Sequence, residues 1–151
     1  MRPTMTHLAL HVPDLEVSIR FYASYCGLRI VHDRGSGGER VVWMAEEGRE
    51  DRFVLVLIPG GEERRQGEHD YSHLGFAVES RSAVDQIARK AQESGILVWP
   101  PVEGPDPVGY FCGVRAPEGR IVEFSFGQPL GPGGEWKASL RDGEPRQRDE
   151  G

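Results

Sequence analysis

Hydrophobic and polar positions along the chain fall into two blocks that run through the same order. Thr6-His7-Leu8-Ala9-Leu10-His11-Val12 alternates with the period of a strand, and Ser72-His73-Leu74-Gly75-Phe76-Ala77-Val78 repeats it 66 residues later. Each run leads into a residue able to accept hydrogen bonds from the free amides of a helix start, Asp14 and Ser80. The apolar period then changes to the helical one. Leu15, Ile19, Tyr22 and Cys26 form one stripe, and Val84, Ile87, Ala88 and Ala91 the other. Gly27 and Gly95 close the two helices, glycine being the residue that tolerates a left-handed turn there. Strands follow at Leu28 to Val31, Arg40 to Ala45 and Phe53 to Ile58 in the first block. In the second they fall at Ile96 to Trp99, Gly109 to Val114 and Arg120 to Phe126.

The pattern predicts an α+β fold of two βαβββ modules, at about residues 5–60 and 70–130, in one domain spanning 1–130. Gly60 to Asp70 reads as a polar linker in which Arg64-Arg65 is solvated. Residues 131–151 read as a mobile tail of Gly, Pro and charge, with Trp136 and Leu140 its apolar anchors. The formal charge of −6 and the lack of a basic cluster argue against a nucleic-acid partner. There is neither an apolar run near ~18 residues nor a charged-then-apolar leader, so a soluble, cytoplasmic protein without a membrane partner is expected. Cys26 and Cys112 have neither disulfide nor metal spacing and read as packed thiols.

Alternation places His7, Ala9 and His11 on one face of the first strand and His73, Gly75 and Ala77 on the matching face of the second copy. Small residues beside each histidine leave space, which predicts a cavity. A histidine at equivalent places in two copies points to a pair of metal ligands, His7 and His73. Glu123, between Val122 and Phe124, faces away from both neighbours, and burying it unpaired would cost several kcal/mol unless a metal took its charge. Two imidazoles and a carboxylate hold a divalent Fe, Mn, Ni, Co or Zn ion with positions left open. His11 is the candidate acid or base, on the His7 face. Ser125 shares Glu123's face and is placed to bond it or a substrate. Tyr71 reads as packing where the second histidine strand begins, and His32 and His69 as residues of polar turns. Glu103 to Phe111 reads as a loop able to cover the pocket.

Thr6 to Leu10 with Val12-Pro13-Asp14-Leu15, Ser18 to Tyr22, Gly27-Leu28, Ser72 to Val78, and Ala116-Pro117-Glu118-Gly119 before Val122-Glu123-Phe124 together resemble the vicinal oxygen chelate superfamily. That superfamily includes glyoxalase I, bleomycin resistance proteins, fosfomycin resistance enzymes, methylmalonyl-CoA epimerase and the extradiol dioxygenases. The resemblance implies that His7, His73 and Glu123 are the metal ligands and that the protein is a homodimer sharing each site between subunits. Departures narrow the chemistry. Glyoxalase I takes a fourth ligand, a glutamate, from the last strand of its first module, where Leu55 or Val56 stands here. Fosfomycin enzymes have a threonine two residues after the first histidine and a tyrosine ten residues before the final glutamate, here Ala9 and Gly113. Extradiol dioxygenases also have a tyrosine at the Gly113 position, and Tyr110 could supply a hydroxyl only by bending inward.

The expected function is therefore a metal-dependent enzyme that chelates a small molecule through neighbouring oxygens, dioxygenase- or transferase-like rather than a standard glyoxalase I. Its alternatives are a metal-free drug- or metabolite-binding protein resembling the bleomycin resistance proteins, and an isomerase like lactoylglutathione lyase.

Overall fold

The Asp14 carboxylate accepts from the Val17 amide at 3.0 Å and Ser80 Oγ from the Ala83 amide at 3.1 Å, so both helices start where the sequence places their caps. The computed structural model describes residues 2–131 and 134; Trp136, Leu140 and nearly all of the predicted tail lie outside the described residues. The elements are β1 (His7–Val12), α1 (Leu15–Cys26), β2 (Arg29–Arg34), a 3-10 turn (Gly37–Glu39), β3 (Val41–Ala45) and β4 (Val54–Pro59). The second module supplies β5 (His73–Ala77), α2 (Arg81–Glu93), β6 (Leu97–Glu103), β7 (Tyr110–Arg115) and β8 (Ile121–Phe126). The predicted α+β fold of two βαβββ modules is thus the observed one.

Each module forms a four-stranded sheet, in the orders β1-β4-β3-β2 and β5-β8-β7-β6. In both, the first and last strands of the module pair in parallel and the other pairings are antiparallel. The two sheets are equivalent in connectivity, as a duplicated unit requires.

Both sheets and both helices contribute to one apolar core. Leu10, Val12, Val42, Met44, Leu55 and Leu57 enter it from the first sheet, and Cys112, Val114, Val122 and Phe124 from the second. Helix α1 joins the halves: the Tyr25 and Phe124 rings lie 6.5 Å apart, and Lys90 Nζ of α2 donates to the Ser24 carbonyl at 3.0 Å. The Tyr22 hydroxyl, wholly buried, donates to Glu118 Oε1 at 2.5 Å across the module boundary. Burial and this carboxyl push the Tyr22 phenol far above its usual range. Because the core takes one side of each strand, alternate residues are left on a face that carries no helix. His7, Ala9 and His11 are exposed there while Leu10 and Val12 are buried.

Several local expectations are corrected. β6 runs past Trp99 through Pro100 and Pro101 to Glu103, which is possible because it is the edge strand, where a missing N–H disrupts no ladder. His32 lies within β2, its ring 5.2 Å from Trp43, and not in a turn. Glu103 to Phe111 is largely the β6–β7 connection, closed by Gly104 N–H to the Gly109 carbonyl at 2.8 Å. Arg64 is not merely solvated: its amide donates to the Glu118 carbonyl at 2.7 Å and its guanidinium to Asp70 Oδ2 at 2.7 Å. The Arg64 carbonyl comes so near Gly119 (φ +85°) that a Cβ there would sit 2.0 Å from it, which explains the glycine of the Pro117-Glu118-Gly119 turn. Both cysteines are free, and burial pushes the Cys112 thiol up to about 11.

Tyr22→Phe keeps the packing but strips the hydrogen-bond donor from the buried Glu118 carboxyl. A loss of about 2 kcal/mol of unfolding free energy is expected in denaturant titration, with the slope against denaturant unchanged.

Candidate metal centre

Sheet register decides which side chains meet. Glu123 on β8 is flanked by Gly75 on β5 and Gly113 on β7, and Gly113 in turn pairs with Trp99 on β6. Cross-strand partners share a face, so Gly75, Glu123, Gly113 and Trp99 form one row across the open side of the second sheet. His73 lies one step along β5 on the same side.

The Glu123 side chain is only 8 % exposed. Its Oε1 accepts from Gln128 Nε2 at 3.2 Å, and its Oε2 stands 3.4 Å from His73 Nε2. The orientation of His73 is fixed from behind, where Nδ1 lies 2.7 Å from the Tyr71 carbonyl oxygen. A carbonyl only accepts, so Nδ1 carries the hydrogen, and in the neutral ring the Nε2 lone pair is directed toward the carboxylate. Two lone-pair donors thus face each other and call for a cation or a proton between them. Bonds of about 2.1 Å from one metal ion to nitrogen and oxygen, at roughly 90–110°, separate the donor atoms by ~3.0–3.4 Å. The pair fits that span, and Tyr71 and Gln128 are the outer partners such ligands normally have.

His7 lies on the other sheet. It is exposed, with Nδ1 3.0 Å from Thr6 Oγ1, and it lines a cavity of about 430 Å³ together with Ala9, Arg34, Trp43, Phe53 and Val56. Among the described residues, no three His, Cys, Asp or Glu side chains of a single chain gather into a metal-sized group. The chain therefore brings His73 and Glu123 together and keeps His7 apart from them.

The remaining candidates divide. His11 is exposed on the His7 face, two alternations further along β1, with Nδ1 3.3 Å from the Pro59 carbonyl. Ser125 shares Glu123's face and is buried, but its Oγ bonds neither Glu123 nor any other described group. Tyr110 is turned away: β7 alternation points it at α2, where its hydroxyl donates to Asp85 Oδ1 at 2.8 Å beneath the Arg81 guanidinium. The hydrogen bond to Asp85 raises its phenol pKa, and the inward bend that would bring it to the site does not occur.

Register also decides between Leu55 and Val56. The first sheet's row matching Gly75-Glu123-Gly113-Trp99 reads Ala9-Val56-Trp43-His32, so Val56 occupies the counterpart of Glu123 and no carboxylate from β4 stands beside His7. Gln128 and Trp99 were missed in the sequence. Gln128 reaches Glu123 because the chain reverses after Gly127 (φ +90°), a turn that the glycine hints at without revealing its direction.

The chain matches the family model of the glyoxalase/bleomycin resistance protein/dioxygenase superfamily over residues 4–124. It is 58% identical to the uncharacterized protein PA2024 of Pseudomonas aeruginosa over 135 residues, 89% of this chain and 96% of that one. Among solved structures, a possible glyoxalase from Bacillus cereus superposes with a TM-score of 0.61 at 31% identity, covering 80% of this chain and 96% of the other. The fosfomycin resistance protein FosX of Listeria monocytogenes, solved with Mn(II) and sulfate, superposes with a TM-score of 0.63 at 15% identity, covering 82% and 92%. With a duplicated βαβββ architecture and a family match spanning both modules, the chain belongs to the glyoxalase/bleomycin resistance protein/dioxygenase superfamily.

Proposed function

We propose that the protein is a metal-dependent enzyme acting on a small molecule with two neighbouring oxygens, with His73 and Glu123 of one subunit and His7 of the partner subunit as metal ligands. The observation that carries the proposal is the His73–Glu123 pair, with its Nε2 and Oε2 3.4 Å apart and His73 Nδ1 held at the Tyr71 carbonyl. Manganese in the Listeria structure supports metal use on this fold. The homodimer reading is supported by the placement of these residues on two helix-free faces and by the exposed Trp43 and Phe53 of the first module, 39% and 40% accessible.

A divalent ion so held would act as a Lewis acid toward the substrate oxygens. The protein's own groups do the positioning. Tyr71 fixes the His73 ring, Gln128 occupies Glu123 Oε1 so that Oε2 is the oxygen offered, and Trp43, Phe53 and Val56 supply the apolar part of the wall around His7. Val56 in place of a carboxylate leaves β4 without the proton carrier that a standard glyoxalase I takes from that strand, which favours dioxygenase or transferase chemistry. His11 is the exchangeable-proton group nearest to His7 along β1.

Protein purified without tag or chelator is expected to carry near-stoichiometric Mn, Fe, Co, Ni or Zn by elemental analysis, and His73→Ala to carry none. If both remain empty after incubation with each ion, the protein is a metal-free binder instead. Gln128→Ala should weaken metal affinity about tenfold by calorimetry, since a ligating carboxylate loses its outer partner. Site sharing has its own test. Mixed dimers of His7→Ala and His73→Ala chains retain one intact site per dimer if ligands come from two subunits, and none if they come from one.

A further inference from the structure

We infer that Trp99, laid over Gly113 beside the His73–Glu123 pair, is the specificity-determining wall of this site and selects ligands that join a flat ring to their chelating oxygens. The inference rests on the proposed metal centre and extends it to substrate class.

The two glycines that flank Glu123 have opposite surroundings. A Cβ built on Gly75 would meet nothing within 4 Å, so that side of the carboxylate is open. A Cβ built on Gly113 would meet Trp99 Cε3 at 2.4 Å, Cδ2 at 2.6 Å and Cγ at 3.0 Å. Three atoms of one ring at such similar distances mean that the indole lies with its face down on the Gly113 backbone. No residue other than glycine leaves room for it. The residue as a whole is only half-buried, so part of the ring stays accessible.

Neighbouring rings hold it in place. His73 meets it edge-on with centroids 5.6 Å apart and planes at 85°, and Phe111 meets it at 6.4 Å and 89°. Tyr71, 66% exposed, extends the aromatic surface at 6.5 Å. A ligand whose oxygens reach the point between His73 Nε2 and Glu123 Oε2 therefore has an aromatic plane on one side and the open Gly75 side on the other. A planar, conjugated body stacks on such a plane, whereas a short aliphatic one leaves it uncovered.

Benzohydroxamate and acetohydroxamate test this, because they present the same two oxygens and differ in a phenyl ring against a methyl group. Co(II) affinity is measured first by calorimetry, and each hydroxamate is then titrated into the Co(II)-loaded protein. The wild type is expected to prefer benzohydroxamate at least tenfold. Trp99→Ala should cut that ratio about fivefold and Trp99→Phe should keep most of it. Gly113→Ala retains the tryptophan but displaces its ring, and should lower the ratio as Trp99→Ala does. Co(II) affinity within about twofold of wild type in these variants shows that the ligand pair still stands. An unchanged ratio in Trp99→Ala and Gly113→Ala, with Co(II) bound, overturns the role of Trp99 alone. Failure of the wild type to bind Co(II) overturns the metal centre, and this inference with it.

Discussion

Placing a carboxylate in the interior of a sheet is the constraint around which the second module is arranged. Glu123 sits on β8, with strands on both sides, and its side chain is nearly inaccessible. An unpaired charge in that position would cost several kcal/mol, so each oxygen needs a partner. The buried Glu118 has one oxygen, Oε1, engaged by a phenol from the other module, which makes it a structural tie, while its Oε2 meets no partner among the described residues. Glu123 is treated differently. Gln128 engages one oxygen, while the other faces His73 Nε2 at 3.4 Å, a gap that a metal ion or a proton would bridge. Under the proposed function, that second oxygen is the one offered to the metal.

The division of the site between two faces has the same origin as the stability of the fold. A βαβββ module has one helix to cover one side of its sheet, and both modules turn that side into a common core. What remains is one bare face per module, each with a histidine at the same point of its first strand. The polar linker is fastened by Arg64 and Asp70 to the Glu118 turn and to Ser72, and His7 stays apart from His73 and Glu123 within one chain. Completing a three-ligand set therefore falls to a second copy under the proposed function.

Much of this was legible in the sequence, and the exceptions have physical causes. The duplicated His-x-small phrase, the Asp14 and Ser80 caps and the glycine at each helix end depend on neighbours within a few residues, so local chemistry revealed them. That Glu123 points away from the core-facing Val122 and Phe124 followed from alternation alone. Tyr110 is a candidate by its distance along the chain, but its parity relative to Glu123 is set by strand pairing; with Gly113 opposite Glu123, a residue three places earlier must face the helix. Trp99 depends on the register between β6 and β7, which is shifted on both sides of that residue. Gln128 depends on the direction of a turn. Properties fixed by pairing between distant strands are the ones a single sequence conceals.

The two rows of residues across the sheets show how a symmetric scaffold acquires one-sided chemistry. Val56 and Glu123 are counterparts, as are Trp43 and Gly113, and His32 and Trp99. In the first sheet a large side chain, Trp43, stands next to the central Val56, and His7 meets a cavity lined by both apolar and charged residues, Arg34, Glu50, Asp51 and Arg52 among them. In the second sheet the bulk moves out by one strand, from the β3 position to the β6 position, and its ring lies back over a glycine. That displacement makes room for a charged group at the centre without opening the sheet to water. The indole depends on the glycine, since without Gly113 the ring could not lie flat, whereas Glu123 takes its polar partners from Gln128 and His73 and not from the ring.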